Sequence, residues 1–352
     1  MKPRLSMVAI SSLFAVTALA GNNPVDEPWW PSEFGASDEM GASQYITPEK
    51  RIEAAKLVKK GKMALLGMPY SNAMPLVPGR TYALSIPGAP THGPLPWPGG
   101  GFAQTFMDEL LTAEIGQVGT QWDGFAHPMI RIQGKPGWKD GNYFYNGVRL
   151  EDVDTPRGLR KNGTEKAGGF FTRGILVDVA ALKGMARLPK GYAITVEDYK
   201  AALRMQGTAD ATKGDVVLLR TGWNSLWKTN HLGRPVGEKV KSDEQLAKDT
   251  AEFNSGEPGA APELCDYLAA KKISMIGSDT WGLEALDFAK GFASTGFAYC
   301  HMNLIARRGI SNFENLDLDE LSSNQAYEFL FAWAPLKLVG ATGSPGNPVA
   351  AW

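Results

Sequence analysis

Four side chains able to donate to a metal ion fall within one short run of this chain: Gln117, Gln121, Asp123 and His127, in the segment Gln117-Val118-Gly119-Thr120-Gln121-Trp122-Asp123-Gly124-Phe125-Ala126-His127-Pro128. Two amide oxygens, a carboxylate and an imidazole at this spacing can present several donors to one point, provided the backbone turns after Thr120. Taken alone the run is also what a glycine-containing loop uses to satisfy its own backbone groups.

A second group lies far along the chain. Cys300-His301 opens a segment that runs through Leu304 and Ile305 to Arg307-Arg308-Gly309-Ile310 and on to Phe313-Glu314-Asn315-Leu316. A helix ended by Gly309 and followed by an extended return would bring His301 and Glu314 within reach of one another. The chain has only four histidines, His92, His127, His231 and His301, and two of them fall inside these two groups.

The elements that must position these groups read as strands alternating with helices. Thr81 to Ile86, Gly174 to Val179, Asp215 to Arg220 and Ile273 to Gly277 are rich in Val, Ile and Leu, as strands are. Thr47-Pro48 is an N-cap with proline at the first helical position and predicts a helix over 48–60. Thr195 with Glu197 and Asp198 starts another, which Gly207 ends. Ser242 to Phe253 and Pro262 to Lys272 complete the set, and together they predict an α/β domain with a mixed sheet. Glycine and proline, 40 and 23 residues, concentrate in stretches such as Pro87 to Gly101 and Gly340 to Pro348, which read as long ordered loops.

At the N-terminus, Lys2 and Arg4 precede an apolar run from Met7 to Leu19 that closes on Ala18-Leu19-Ala20, the layout of a cleaved signal peptide. The run is shorter than the roughly 20 residues that span a bilayer, so a membrane-embedded protein is not expected, and residues 1–20 point to the periplasm or secretion. Residues 21–80 read as an arm, packed by Trp29-Trp30-Pro31, plus the first helix, and 81–352 as the catalytic domain. Hydrophobic content of 43% and charged content of 21% suit a chain with a full core. A net charge of −1 without basic blocks lacks the footprint of a nucleic-acid binder, leaving small-molecule chemistry. An oxidising compartment would permit a bond between Cys265 and Cys300, a pairing the sequence does not decide.

The two donor groups resemble the cyclase family, which includes bacterial kynurenine formamidases and isatin hydrolase-like enzymes. Its metal-binding signature is His-x-Gly-Thr-His-x-Asp-x-x-x-His. Gly119, Thr120, Asp123 and His127 match it in register, while Gln117 and Gln121 stand where the family usually has histidine. Further matches follow in family order: Leu176 to Gly184, Val217 to Trp223, Ile276 to Trp281, His301 to Leu316 and Gly340 to Pro348. The resemblance implies a compact cyclase-like (swivelling β/α/β) domain with long loops, a homo-oligomer (dimer or tetramer), and a metal-dependent hydrolase acting on an amide, a cyclic imide or lactam, or a lactone. It also implies that Asp123, His127, His301 and Glu314 are ligand or catalytic residues, with His127 or Glu314 as proton shuttle.

The departure from the signature has physical content, because an amide oxygen is a harder and weaker donor than imidazole. A divalent manganese or zinc ion is expected, one rather than two. Trp122, Phe125, His92 and Asp279 are candidate substrate-binding residues, with core packing the competing role of Phe125 and turn capping that of Asp279. His231 reads as exposed, Arg220 as an ion-pair partner and Cys300 as a packing residue. A lyase on the same scaffold and a non-catalytic binding protein are the alternatives, the second disfavoured because a decaying site has no need to keep costly buried charges.

Overall fold

The computed structural model describes residues 27–228, 242–291 and 298–352. The expected signal peptide and His231 lie outside them. Among the described residues no helix is long and apolar enough to cross a membrane.

One large mixed sheet organises the chain. In chain order its strands are β1 (Met63–Leu65), β2 (Gln121–Asp123), β3 (Phe170–Asp178), β4 (Val216–Arg220), β5 (Met275–Ser278), β6 (Ser311–Glu314), β7 (Glu328–Trp333), β8 (Gly343–Pro345) and β9 (Val349–Ala351). They lie side by side as β1-β9-β7-β3-β4-β5-β6-β2-β8. The four central strands β3, β4, β5 and β6 run parallel, and antiparallel neighbours extend the sheet on both sides. This is the mixed α/β architecture the strand and helix pattern predicts.

The central strands are apolar on consecutive residues because both sheet faces are covered. Ile175, Val177, Val217, Leu219 and Ile276 face one core with Tyr199, Leu203, Leu264 and Leu268 from the helices Val196–Gln206 and Pro262–Ala270. Leu176, Val216, Leu218 and Met275 face a second core with Trp122, Phe125, Phe313 and Phe329. The helix ends follow their sequence signals. Thr195 and Asp198 form a reciprocal capping box, and Gly207 closes the helix at φ 66°. Thr47 and Ser242 cap theirs through side-chain oxygens.

Three placements differ from expectation. The helix expected over 48–60 ends at Ala55. The strand at Tyr82–Ser85 is no part of the main sheet; it pairs with Leu110–Ala113 beside a second hairpin, His92–Pro96 with Ala103–Phe106, and these arms are largely exposed. β1 pairs with β9, so residues assigned to the N-terminal segment complete the main sheet. Trp29 and Trp30 pack against Trp138 and Tyr143, which fixes the arm by its tryptophans.

Cys265 and Cys300 form a disulfide that ties the helix Pro262–Ala270 to the residue preceding His301. The bridge closes a separation of 35 residues, for which chain entropy gives a stabilisation of about 3–4 kcal/mol. The double variant Cys265→Ala/Cys300→Ala should lose about that much in urea unfolding, and equal midpoints for both proteins would show that the bridge contributes nothing.

Candidate metal centre

β2 and β6 supply the floor of the site. Their antiparallel register sets Gln121 opposite Glu314, Trp122 opposite Phe313 and Asp123 opposite Asn312. Alternation along each strand then sends Gln121, Asp123 and Glu314 to one face and Trp122 and Phe313 to the other. The first face meets His127, which follows β2 after a turn closed by the His127 N–H to Gly124 O bond (3.1 Å), and His301. His301 opens a helical segment of wide, π-type turns, His301–Ala306, ended by Gly309 at φ 62° before β6. The sequence expectation of a helix and an extended return describes this connection.

The loop ahead of β2 is held from two sides. Thr120 Oγ1 donates to Asn315 O (2.6 Å) and accepts from the Met68 N–H (2.7 Å), while Asn315 Nδ2 donates to Gly119 O (2.9 Å). Gly119 has φ 70°, and a Cβ there would meet the Tyr70 ring at 2.3 Å, so position and conformation both demand glycine.

The donors converge. One ligand atom from each of Asp123, His127 and His301 lies within 4.8 Å of the others. His301 Nε2 is 3.4 Å from Asp123 Oδ2 and 3.3 Å from Glu314 Oε1, and His127 Nε2 is 3.7 Å from Asp123 Oδ2. Asp123 Oδ2, Glu314 Oε1 and Gln121 Oε1 are buried oxygens without a hydrogen-bond partner. Buried polar atoms are normally satisfied, so three oxygens without a hydrogen bond, two of them 3.3–3.4 Å from the His301 ring, fit a cation bound between the donors. The glutamines turn their amide nitrogens to the carboxylates, Gln117 Nε2 donating to Asp123 Oδ1 (3.2 Å) and Gln121 Nε2 to Glu314 Oε2 (2.9 Å).

Sequence reasoning missed two carboxylates. Glu284 Oε1 lies 2.6 Å from His301 Nδ1 and accepts the His301 backbone N–H at 2.9 Å, fixing the ring with Nε2 towards Asp123 and Glu314. Glu257 accepts the N–H groups of Trp281 and Gly282, both at 2.8 Å, and so holds a loop that walls the site. Glu284 follows the matched stretch Ile276 to Trp281 closely and Glu257 reaches it only in space, and nothing local distinguishes either from other acidic residues.

Burial and crowding of like charge dominate the electrostatics. Burial, with the Asp123 charge added, pushes the Glu314 carboxyl up to about 8. Burial and Glu314 push Glu257 well above the carboxylate range. Burial opposes charging of His301, but Asp123, Glu284 and Glu314 outweigh it and hold the imidazole well above its ordinary value. Burial also works against ionised Asp123, and the positive charges of His127 and His301 overcome it and lower its pKa. His127 is lowered, chiefly by burial.

A cavity of about 330 Å³ opens over these donors, with Gln117, Gln121, His127, His301 and Glu314 below and Trp281, Met129 and Met302 among its walls. Four expected substrate contacts lie elsewhere. Trp122 is buried in the second core, because a residue between Gln121 and Asp123 on a strand must point the opposite way, and Phe125 takes its competing role of core packing, against Trp122 and Tyr145. His92 is on an exposed hairpin, 3.1 Å from Asp108, with 72% of its side chain open to solvent. Asp279 is buried and accepts from Thr221 N (2.9 Å), Thr221 Oγ1 (2.6 Å) and Gly222 N (2.7 Å), which joins two matched motifs structurally. Arg220 pairs with Asp178 and Asp319.

Residues 64–285 match the model of the Cyclase family, described as "Putative cyclase", and the chain belongs to that family. A solved structure described as a novel cyclase is 30% identical, with 91% of this chain and 98% of that chain covered and a TM-score of 0.71. Isatin hydrolase A from Labrenzia aggregata, solved with benzyl benzoate, shares the fold at 19% identity, with 84% and 94% covered and a TM-score of 0.52. Isatin hydrolase A from Ralstonia solanacearum does so at 18% identity, with 82% and 91% covered and a TM-score of 0.50. No curated protein matches the chain.

Two outcomes are expected of the site itself. Glu284→Gln should weaken divalent metal binding by about ten- to a hundredfold in a competition titration, as loss of a ligand's orienting carboxylate does; unchanged affinity would make the Glu284–His301 contact incidental. The second concerns pH. Glu314 keeps its proton to about pH 8 in the folded, metal-free chain, against an ordinary value of 4.5. Unfolding between those values releases that proton, so stability falls as pH rises through the window. The raised His301 acts in the same direction, since its stabilisation is present below 6.5 and is lost as pH climbs through its folded value. Thermal melts of chelated protein should therefore drop from about pH 5 to about pH 9, and a flat profile would contradict the assignment.

Proposed function

We propose that this protein is a metal-dependent hydrolase of small molecules, opening an amide, cyclic imide or lactam, or lactone bond. The observation that carries this reading is the set of unmet buried oxygens of Asp123 and Glu314 facing His127 and His301 at the floor of one cavity. Asp123, His127 and His301 would hold a manganese or zinc ion. When bound, the ion supplies Lewis acidity to a carbonyl oxygen and to water.

The chain's own residues supply the rest. Glu314 stands outside the trio of mutually close donors, with Oε1 free of hydrogen bonds at the cavity and Oε2 fixed by Gln121. It is the group placed to take a proton from water and return it to the leaving atom. Gln117 and Gln121 each hold a carboxylate by an N–H bond, which supports their acting as orienting partners and a single ion in place of two. Trp281, Met129 and Met302 exclude water on the substrate side.

Export to an oxidising compartment belongs to the same reading, supported by the signal-like N-terminus and the Cys265–Cys300 bridge. So does a homo-oligomer, supported by exposed Ile86, Leu95, Trp97, Phe102 and Leu110 on the hairpin arms.

The test pairs elemental analysis of purified protein with a hydrolysis screen of formamides, lactams, cyclic imides and lactones in ¹⁸O-water, before and after chelation. The expected result is about one equivalent of divalent metal, chelator-sensitive turnover and one labelled oxygen in the product. Metal-free, inert protein after reconstitution would overturn the reading, and a product without label would replace hydrolysis by elimination.

A further inference from the structure

The cavity over the metal donors carries a cation that has no carboxylate partner among the described residues. Arg80 lines it, on the same cavity as Gln121, His127, His301 and Glu314. Arg80 is exposed at the cavity mouth, and among the described residues its guanidinium has no hydrogen bond or ion pair, so its fork is open to a ligand. Glu114, the acid nearest along the adjoining hairpin, is engaged by the Thr81 backbone N–H at 2.5 Å. The backbone at Arg80 is set by a turn, its N–H donating to Val77 O at 3.1 Å after Gly79 at φ 91°. Val77 also lines the cavity, so the turn itself forms part of the wall.

The same cavity has apolar lining. Trp281 presents an indole stacked on Phe288 at 6.1 Å with 15° between planes, and Met129 and Met302 also line it. A volume of about 330 Å³ sits at the small end of ligand sites, which run from about 300 to 1,000 Å³. A planar guanidinium with its N–H fork unspent is a receptor for carboxylate, which it binds through two parallel hydrogen bonds.

We infer that Arg80 is a specificity-determining residue, selecting small aromatic substrates that carry a carboxylate in addition to the bond to be cleaved. The inference rests on the hydrolase reading for its chemistry and on Arg80 alone for its selectivity. With an aromatic formamide the step is C–N cleavage: the oxygen of water bonds to the formyl carbon, a proton passes to nitrogen, and an arylamine and formate leave.

The experiment compares 2-formamidobenzoate with formanilide, which share ring and scissile bond and differ by the carboxylate. The metal-loaded wild-type protein should show a lower KM for 2-formamidobenzoate, and Arg80→Ala should narrow the selectivity between the two by about tenfold or more. Arg80→Lys, with charge but no fork, should recover part of it. Equal effects of Arg80→Ala on both substrates, or none, would overturn the inference. If the wild type cleaves neither compound, calorimetry with benzoate on wild type and Arg80→Ala, each metal-free and metal-loaded, decides separately. Benzoate binding that disappears in Arg80→Ala keeps the carboxylate site and removes formamide hydrolysis; binding that is absent or unchanged removes the site.

Discussion

The register between β2 and β6 is the constraint on which the site depends. With Gln121 opposite Glu314 and Asp123 opposite Asn312, these four polar side chains reach one face and the Trp122–Phe313 pair reaches the other. A slip of β2 by one residue would drive Gln121 and Asp123 into an aromatic core and bring Trp122 to the cavity. The structure guards against this at several points: Thr120 and Asn315 bond across the ends of the two strands, and β8 pairs with the far side of β2. The matched stretch Gly340 to Pro348, which carries no candidate ligand, has its role here, as the strand that covers β2.

That arrangement gathers more negative charge than the protein can neutralise by itself. Asp123, Glu284 and Glu314 all address His301, and Glu257 stands behind Glu314. In the metal-free chain the imbalance is met with protons held by His301, Glu314 and Glu257. A divalent ion replaces protons with fixed charge, so the same oxygens that are costly when unmet become the reason for tight binding.

Much of the architecture was legible because its signals are local. Thr195 with Gly207, Thr47 with Pro48, and Ser242 mark helix ends whatever surrounds them, and Val/Ile/Leu runs mark strands buried on both faces. The pairing of His301 with Glu314 was legible too, since Gly309 between them announces the turn. Trp122 was misplaced by reading proximity in sequence as proximity in space, although strand alternation alone places it away from its neighbours, while the core role left open for Phe125 is the one it takes. Glu284 and Arg80 had no such signal. Each matters only through partners or their absence far along the chain, which a linear reading does not contain. The exposed strand at Tyr82–Ser85 carries the composition of a core strand, and only the fold shows that it lies outside the main sheet.

The hydrogen bond between Gln121 and Glu314 spans 193 positions of sequence. A site closed by so remote a contact comes into being late in folding, because the intervening parallel strands must be ordered before its two halves can meet. The ion therefore recognises the finished chain and not a fragment of it, and its binding energy adds to the cooperativity of the whole molecule, making metal occupancy a measure of how completely the protein has folded.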